Sequence, residues 1–79
     1  MDELVLDIVR KEIDYHWGTK PKQEYELFIT WKCKTLQNWK YLVATSMPDN
    51  MYYEITFNGD KSEFYVDAYE KAYNVVVKQ

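Results

Sequence analysis

Met51-Tyr52-Tyr53-Glu54-Ile55-Thr56-Phe57-Asn58-Gly59-Asp60-Lys61-Ser62-Glu63-Phe64-Tyr65-Val66-Asp67 is the stretch that decides the fold. Tyr53, Ile55 and Phe57 alternate with Tyr52, Glu54 and Thr56, the two-residue period of a strand with one buried side. Asn58-Gly59-Asp60 is the strongest turn signal in the chain, because Asn and Gly tolerate the left-handed backbone that a tight hairpin needs. A turn centred on Asn58-Gly59 would set Glu54 opposite Glu63, a repulsive pair. Centring it on Gly59-Asp60 sets Ile55 opposite Phe64 and Tyr53 opposite Val66 instead. Either turn sends the same residues toward the core, so the stretch predicts an antiparallel hairpin. Just beyond it, Asp67 is followed three residues later by Glu70, a spacing that resembles a capping box. Ala68, Tyr69, Ala72, Tyr73 and Val76 then fit helical spacing, so a helix is expected from Asp67 onward. The β-branched run Val75-Val76-Val77 weakens its final turn.

Working outward toward the N-terminus, residues 24–35 alternate as well. Tyr25, Leu27, Ile29, Trp31 and Cys33 fall on the side expected to face the core, and Glu24, Glu26, Thr30, Lys32 and Lys34 on the other; Phe28 breaks the pattern. Gln37-Asn38 reads as the turn into a strand over Trp39–Ser46, whose face stays open because a turn one residue longer would reverse every side chain. Met47-Pro48-Asp49-Asn50 is a loop. Before these strands, Leu4, Val5, Ile8, Val9, Ile13, His16 and Trp17 recur at spacings of three to five, which predicts a helix over residues 3–17. Asp2 suits its N-cap, and Gly18 and Pro21 suit its end. The expected fold is a single α+β domain over residues 1–79: helix, four-stranded antiparallel meander, helix. Both helices are expected on one face of the sheet, which leaves the other face partly wet.

The chain has 79 residues, 10 basic and 13 acidic, for a formal charge of −3. A domain this short buries only about 60% of its unfolded surface, so its stability margin is thin. No stretch approaches the roughly 18 apolar residues of a membrane span, and acids directly after Met1 do not open a signal peptide. One cysteine makes no internal disulfide, which fits a reducing, cytoplasmic setting. Aromatic residues reach 18%, more than so small a core can hold centrally, and surplus Tyr and Trp at a core margin or surface are common at interfaces.

The charge is divided along the chain. Residues 27–48 hold Lys32, Lys34 and Lys40 and no acid, between flanking segments that each carry a net charge of −3. The alternation places Lys32 and Lys34 on the open sheet face beside Tyr52, Tyr65, Glu54 and Glu63. Lysines among aromatics on an open sheet suit single-stranded nucleic acid, with rings stacking on bases and ammonium groups meeting phosphates. Three lysines without an arginine offer few phosphate contacts, and the ordinary alternative is a solvated face whose lysines discourage edge pairing. The element order resembles double-stranded-RNA-binding domains in topology alone, since Asp67-Ala68-Tyr69-Glu70-Lys71 is acidic where phosphate contact needs lysines.

Catalytic constellations are sparse. His16, the only histidine, reads as a core-margin residue, and Cys33 as core packing rather than a nucleophile. One His and one Cys do not make a structural zinc site, Gly18 and Gly59 stand alone rather than in a phosphate loop, and Glu24 and Glu26 read as a solvated strand face. No enzyme, metal or cofactor is expected. Trp31, Trp39 and Tyr41 gather near the first hairpin, and such residues anchor many protein interfaces.

Trp31-Lys32-Cys33-Lys34-Thr35-Leu36-Gln37-Asn38-Trp39-Lys40, with Met51 to Lys61 and Tyr65-Val66-Asp67-Ala68-Tyr69, resembles a family of small uncharacterised proteins encoded by phages and prophages of Gram-positive bacteria. The resemblance covers roughly residues 27–73 and carries no assigned activity. It implies expression in the cytoplasm of a bacterial host cell, where small phage proteins often bind and modulate host factors, including antiviral defences. The expectation is therefore a non-enzymatic accessory protein that binds a host or phage protein, of which an anti-CRISPR inhibitor is one form. Its expected contact surface is Lys32, Lys34, Trp39, Lys40, Tyr41, Tyr52 and Tyr65. Single-stranded nucleic-acid binding on the open face is the alternative, and a homodimer would use the same surface.

Overall fold

The computed structural model describes residues 1–17 and 24–79. Its elements are α1 (Asp2–Trp17), β1 (Leu27–Thr35), β2 (Asn38–Thr45), β3 (Met51–Asn58) and β4 (Glu63–Glu70). The four strands form one antiparallel sheet in the order β1-β2-β3-β4. The Gly18 and Pro21 end signals of the first helix lie outside the described residues.

α1 forms because Val5, Val9 and Ile13 stack one turn apart into a stripe that is 0–1% exposed. Asp2 and Glu3 occupy its first turn, where carboxylates meet the positive end of the helix dipole. The stripe packs on Tyr41, Val43, Tyr53 and Ile55 from the two central strands, with Met47 closing the cluster. Burying each Val or Ile side chain stabilises the fold by roughly 1.5–3 kcal/mol, so three residues of one helix supply much of the margin of a small domain. Leu27, Ile29, Trp39, Phe64 and Val66 pack around this centre as partly buried neighbours. One helix layer on one sheet gives a thin molecule, 17 Å along its shortest axis.

The expected second helix is absent, and this corrects the helix–sheet–helix arrangement. Asp67, Ala68, Tyr69 and Glu70 continue β4 instead, opposite Glu54, Tyr53, Tyr52 and Met51. Pairing along a strand already formed adds backbone hydrogen bonds without a new nucleus, whereas a helix of about ten residues ending in three valines has a costly nucleus and poor propensity. Tyr69 stacks on Tyr52 with ring centroids 5.2 Å apart, a cross-strand contact that a helix would forfeit. Beyond Glu70 the Lys71 N–H donates to the Asn50 carbonyl (2.8 Å), and the remainder to Gln79 is exposed and has no regular secondary structure.

Both hairpin turns also depart from expectation. The β3–β4 register sets Ile55 opposite Val66 and Phe57 opposite Phe64, a pairing shifted by two residues from the Gly59-Asp60 centring, so the loop is Gly59–Ser62, centred one residue further along at Asp60-Lys61. Asn58 Oδ1 accepts the Asp60 and Lys61 N–H groups (3.0 and 3.3 Å) and organises this longer loop, while Ser62 takes a left-handed φ of 53°. Core faces are unchanged, because the shift is by an even number of residues. The first hairpin turns at Leu36-Gln37 rather than Gln37-Asn38, with Leu36 at φ 57°. The two turns touch: Gly59 N–H donates to Asn38 Oδ1 (2.9 Å), and a Cβ on Gly59 would stand 2.3 Å from the Gln37 carbonyl oxygen. A residue without a side chain is what allows that approach.

The largest correction comes from a single residue. Ile29 pairs with Val43 but Trp31 pairs with Leu42, which leaves Thr30 as a β-bulge. Thr30 Oγ1 donates to the Leu42 carbonyl (3.2 Å) and helps hold it there. Past the bulge the alternation of β1 is inverted. Lys32 and Lys34 share the helix side with Tyr41 and Trp39, while Trp31 and Cys33 share the open side with Leu42 and Lys40.

Candidate docking face

Residues directly opposite one another across a sheet share a face, so the register maps the open side in rows. Phe28, Ala44, Tyr52 and Tyr69 form one row; Trp31, Leu42, Glu54 and Asp67 the next; Cys33, Lys40, Thr56 and Tyr65 the third. Five aromatic side chains thus stand on one surface. Phe28, Trp31, Tyr52, Tyr65 and Tyr69 are all exposed, Trp31 most at 48%. β1 contributes Phe28 and Trp31 at one margin, β4 contributes Tyr65 and Tyr69 at the other, and Leu42 is half-buried between them.

The polar groups of this face are few and mostly acidic. Glu54 lies opposite Asp67, a like-charge pair offset by Lys40, whose Nζ is 3.1 Å from a Glu54 oxygen. Glu63 accepts a hydrogen bond from Tyr65 Oη (2.7 Å), and that bond raises the Tyr65 phenol above its ordinary value. The Glu54 and Asp67 carboxylates raise Tyr69 likewise. Both phenols therefore stay protonated at neutral pH and present O–H groups at the rim of an apolar strip. Counting Lys40 against Glu54, Glu63 and Asp67, the face carries a net charge of −2.

The seven residues expected to make the contact surface divide between the two sides of the sheet. Lys40, Tyr52 and Tyr65 are on the open side. Tyr41 is wholly buried beneath α1, which removes it from any contact surface. Its Oη donates to Asp2 Oδ1 (2.8 Å), and Lys32 Nζ donates to Asp2 Oδ2 (2.9 Å). Burial, then this bond, pushes the Tyr41 phenol up to about 12, and the Lys32 and Tyr41 bonds hold the Asp2 carboxyl below its usual value. Trp39 is half-buried and stacked on Tyr41 at 5.7 Å, with Lys34 Nζ 5.4 Å from the Trp39 ring centroid. Lys32 and Tyr41 thus tie the start of α1 to the first hairpin, and Lys34 and Trp39 stack beside them on the same side of the sheet.

The open face gains residues that alternation alone missed. Trp31 belongs to it on account of the bulge and Tyr69 because β4 replaces the expected helix, whereas Phe28, ahead of the bulge and opposite Ala44, stands on the side that alternation gave it. Cys33 is exposed on this face rather than packed in the core. His16 is exposed too, on the last turn of α1 and 4.0 Å from Glu12. The sheet separates it from the Cys33 side chain, so the two do not converge. Among the described residues no three His, Cys, Asp or Glu side chains gather as metal ligands, and no helix is long and apolar enough to cross a membrane.

A family model described as a family of unknown function, DUF6275, matches residues 2–79, and the chain belongs to that family. No curated protein and no solved structure matches it.

Proposed function

We propose that this member of the family is a non-enzymatic binding protein that docks another protein on its open sheet face. The partner it suits is an apolar surface rimmed by basic side chains. The observation that carries this reading is the set of exposed Phe28, Trp31, Tyr52, Tyr65 and Tyr69 on the side of the sheet that α1 does not cover. Large rings with polar tips are the side chains that concentrate binding energy at interfaces, and Glu63 and Asp67 on the β4 margin, with Glu54 already paired to Lys40, favour a basic rim by charge complementarity. Together with the resemblance to phage and prophage proteins, this supports a role in the cytoplasm of an infected or lysogenic bacterium, where the partner would be a host or defence factor that the protein modulates.

Single-stranded nucleic acid fits the same face less well. Two of the three lysines that suggested it, Lys32 and Lys34, stand on the helix side, and Lys40 is engaged by Glu54. A phosphate chain on the open face would meet more carboxylates than ammonium groups.

Three proteins tested side by side decide the matter: the unaltered chain, a Trp31→Ala/Tyr65→Ala variant and a Lys34→Ala control, each immobilised and exposed to nuclease-treated host lysate. The expected result is one protein retained in stoichiometric amount by the unaltered chain and the control, and lost with the double variant. Equal retention by all three overturns the face assignment. Salt-sensitive binding of a single-stranded oligonucleotide with no protein retained overturns the reading itself.

A further inference from the structure

The meander ends in two outer strands, β1 and β4, each with one backbone edge that no described residue pairs. Such edges are templates for another strand. β4 differs from β1 in the segment that continues from it. After Lys71 the chain leaves the sheet and runs exposed through Tyr73, Val75, Val76 and Val77, which are 67–83% exposed. Three β-branched residues in a row form strands well, yet here they have no partner strand among the described residues.

Charge selects the edge this segment would join. β4 carries Glu63, Asp67 and Glu70 and no base, whereas residues 71–79 carry Lys71 and Lys78 and no acid. β1 carries Lys32 and Lys34 and no acid, so it repels the same segment. Its own β4 does not take it among the described residues, and a reversal over Lys71-Ala72-Tyr73-Asn74 would have Asn74 alone as a turn-favouring residue, with no Gly or Pro. The edge it fits is therefore β4 of another copy.

We propose that two copies of this chain pair antiparallel through β4 and its continuation over residues 71–77, making one eight-stranded sheet about a two-fold axis at Ala72. A two-fold at Glu70 or at Lys71 would set each of those charges against its own copy. At Ala72 a small side chain meets itself, Glu70 lies opposite Asn74, and Lys71 lies opposite Tyr73. Val75 then faces Tyr69, an aromatic paired with a β-branched residue on the open side. Because the axis is perpendicular to the sheet, both helices fall on one side and the two aromatic faces join on the other. The dimer does not depend on the docking function proposed above.

Sedimentation equilibrium of the full-length chain across a wide concentration range tests this. The expected result is a dimer that is lost in a Val75→Pro/Val76→Pro variant with an unchanged far-UV spectrum. N–H groups alternate in direction along a strand, so one of the two prolines must remove a bond to the partner. Both positions are exposed, so the fold itself should survive the change. Mild oxidation supplies a second reading: Cys33→Ser/Ala72→Cys should cross-link to a covalent dimer, and Cys33→Ser/Ala68→Cys should not. A monomer at every concentration overturns the proposal, as does a dimer indifferent to the two prolines.

Discussion

Asp2 is the residue on which two elements converge. Its carboxylate accepts hydrogen bonds from Lys32 on β1 and Tyr41 on β2 while sitting in the first turn of α1, so one side chain anchors the helix start to the hairpin. These bonds favour the ionised form, and the folded carboxyl titrates below its unfolded value of 3.8. The stabilisation is therefore complete above the unfolded value and is lost as pH falls through the folded one. Asp2→Asn should lower the melting temperature at pH 7 in low salt, and the difference from the unaltered chain should vanish once the pH is low enough to protonate Asp2. Tyr41 shows the opposite sign. Its phenol titrates near 12 when folded against 10.0 when unfolded, so stability is intact below 10 and declines as pH rises through 12. Tyr41→Phe should remove that part of the alkaline loss and cost about 1–2 kcal/mol at neutral pH through the missing hydrogen bond to a charged group. Denaturant melts at pH 7 and above pH 10 measure both effects.

For the elements, the decisive event is the bulge at Thr30. Alternation made α1 and the β3 core face legible, because Val5, Val9 and Ile13 keep one helical stripe and Tyr53 and Ile55 keep one strand phase. It failed in β1, since one extra residue reverses every later side chain and a bulge needs no distinctive residue. It failed again at Asp67, where a local capping signal competed with four further strand pairs, and pairing that depends on a distant strand leaves no trace in the local pattern. The candidate site suffered from both failures: Lys32 and Lys34 moved off the open face, and Trp31 and Tyr69 moved onto it. Cys33 reports on the bulge directly. With Thr30 looped out, its thiol is exposed on the open side and should react with a disulfide reagent in the native protein at close to its rate in denaturant. Strong native protection, relieved only by unfolding, would mean that β1 keeps its original phase and that Cys33 lies under the helix.

Across the whole molecule, stability and recognition are assigned to opposite sides of one sheet. Among the described residues the helix side contains every fully buried side chain, and the open side contains five exposed rings whose removal leaves no cavity beneath α1. Ile13 is 1% exposed and should cost about 3 kcal/mol as Ile13→Ala, from lost transfer energy and the space left behind. In a domain of this size each kcal/mol moves the melting temperature by roughly 4–8 °C, so the variant should melt more than ~10 °C lower. Trp31 is nearly half exposed on an outer strand, so Trp31→Ala should shift the melting temperature by only a few degrees although it deletes a much larger side chain. Calorimetry on the two variants therefore separates the sides: a small loss at the bigger residue and a large one at the smaller. A comparable loss at Trp31 would mean that its ring holds the sheet together, which would take away the main reason for treating the open face as a surface kept for a partner.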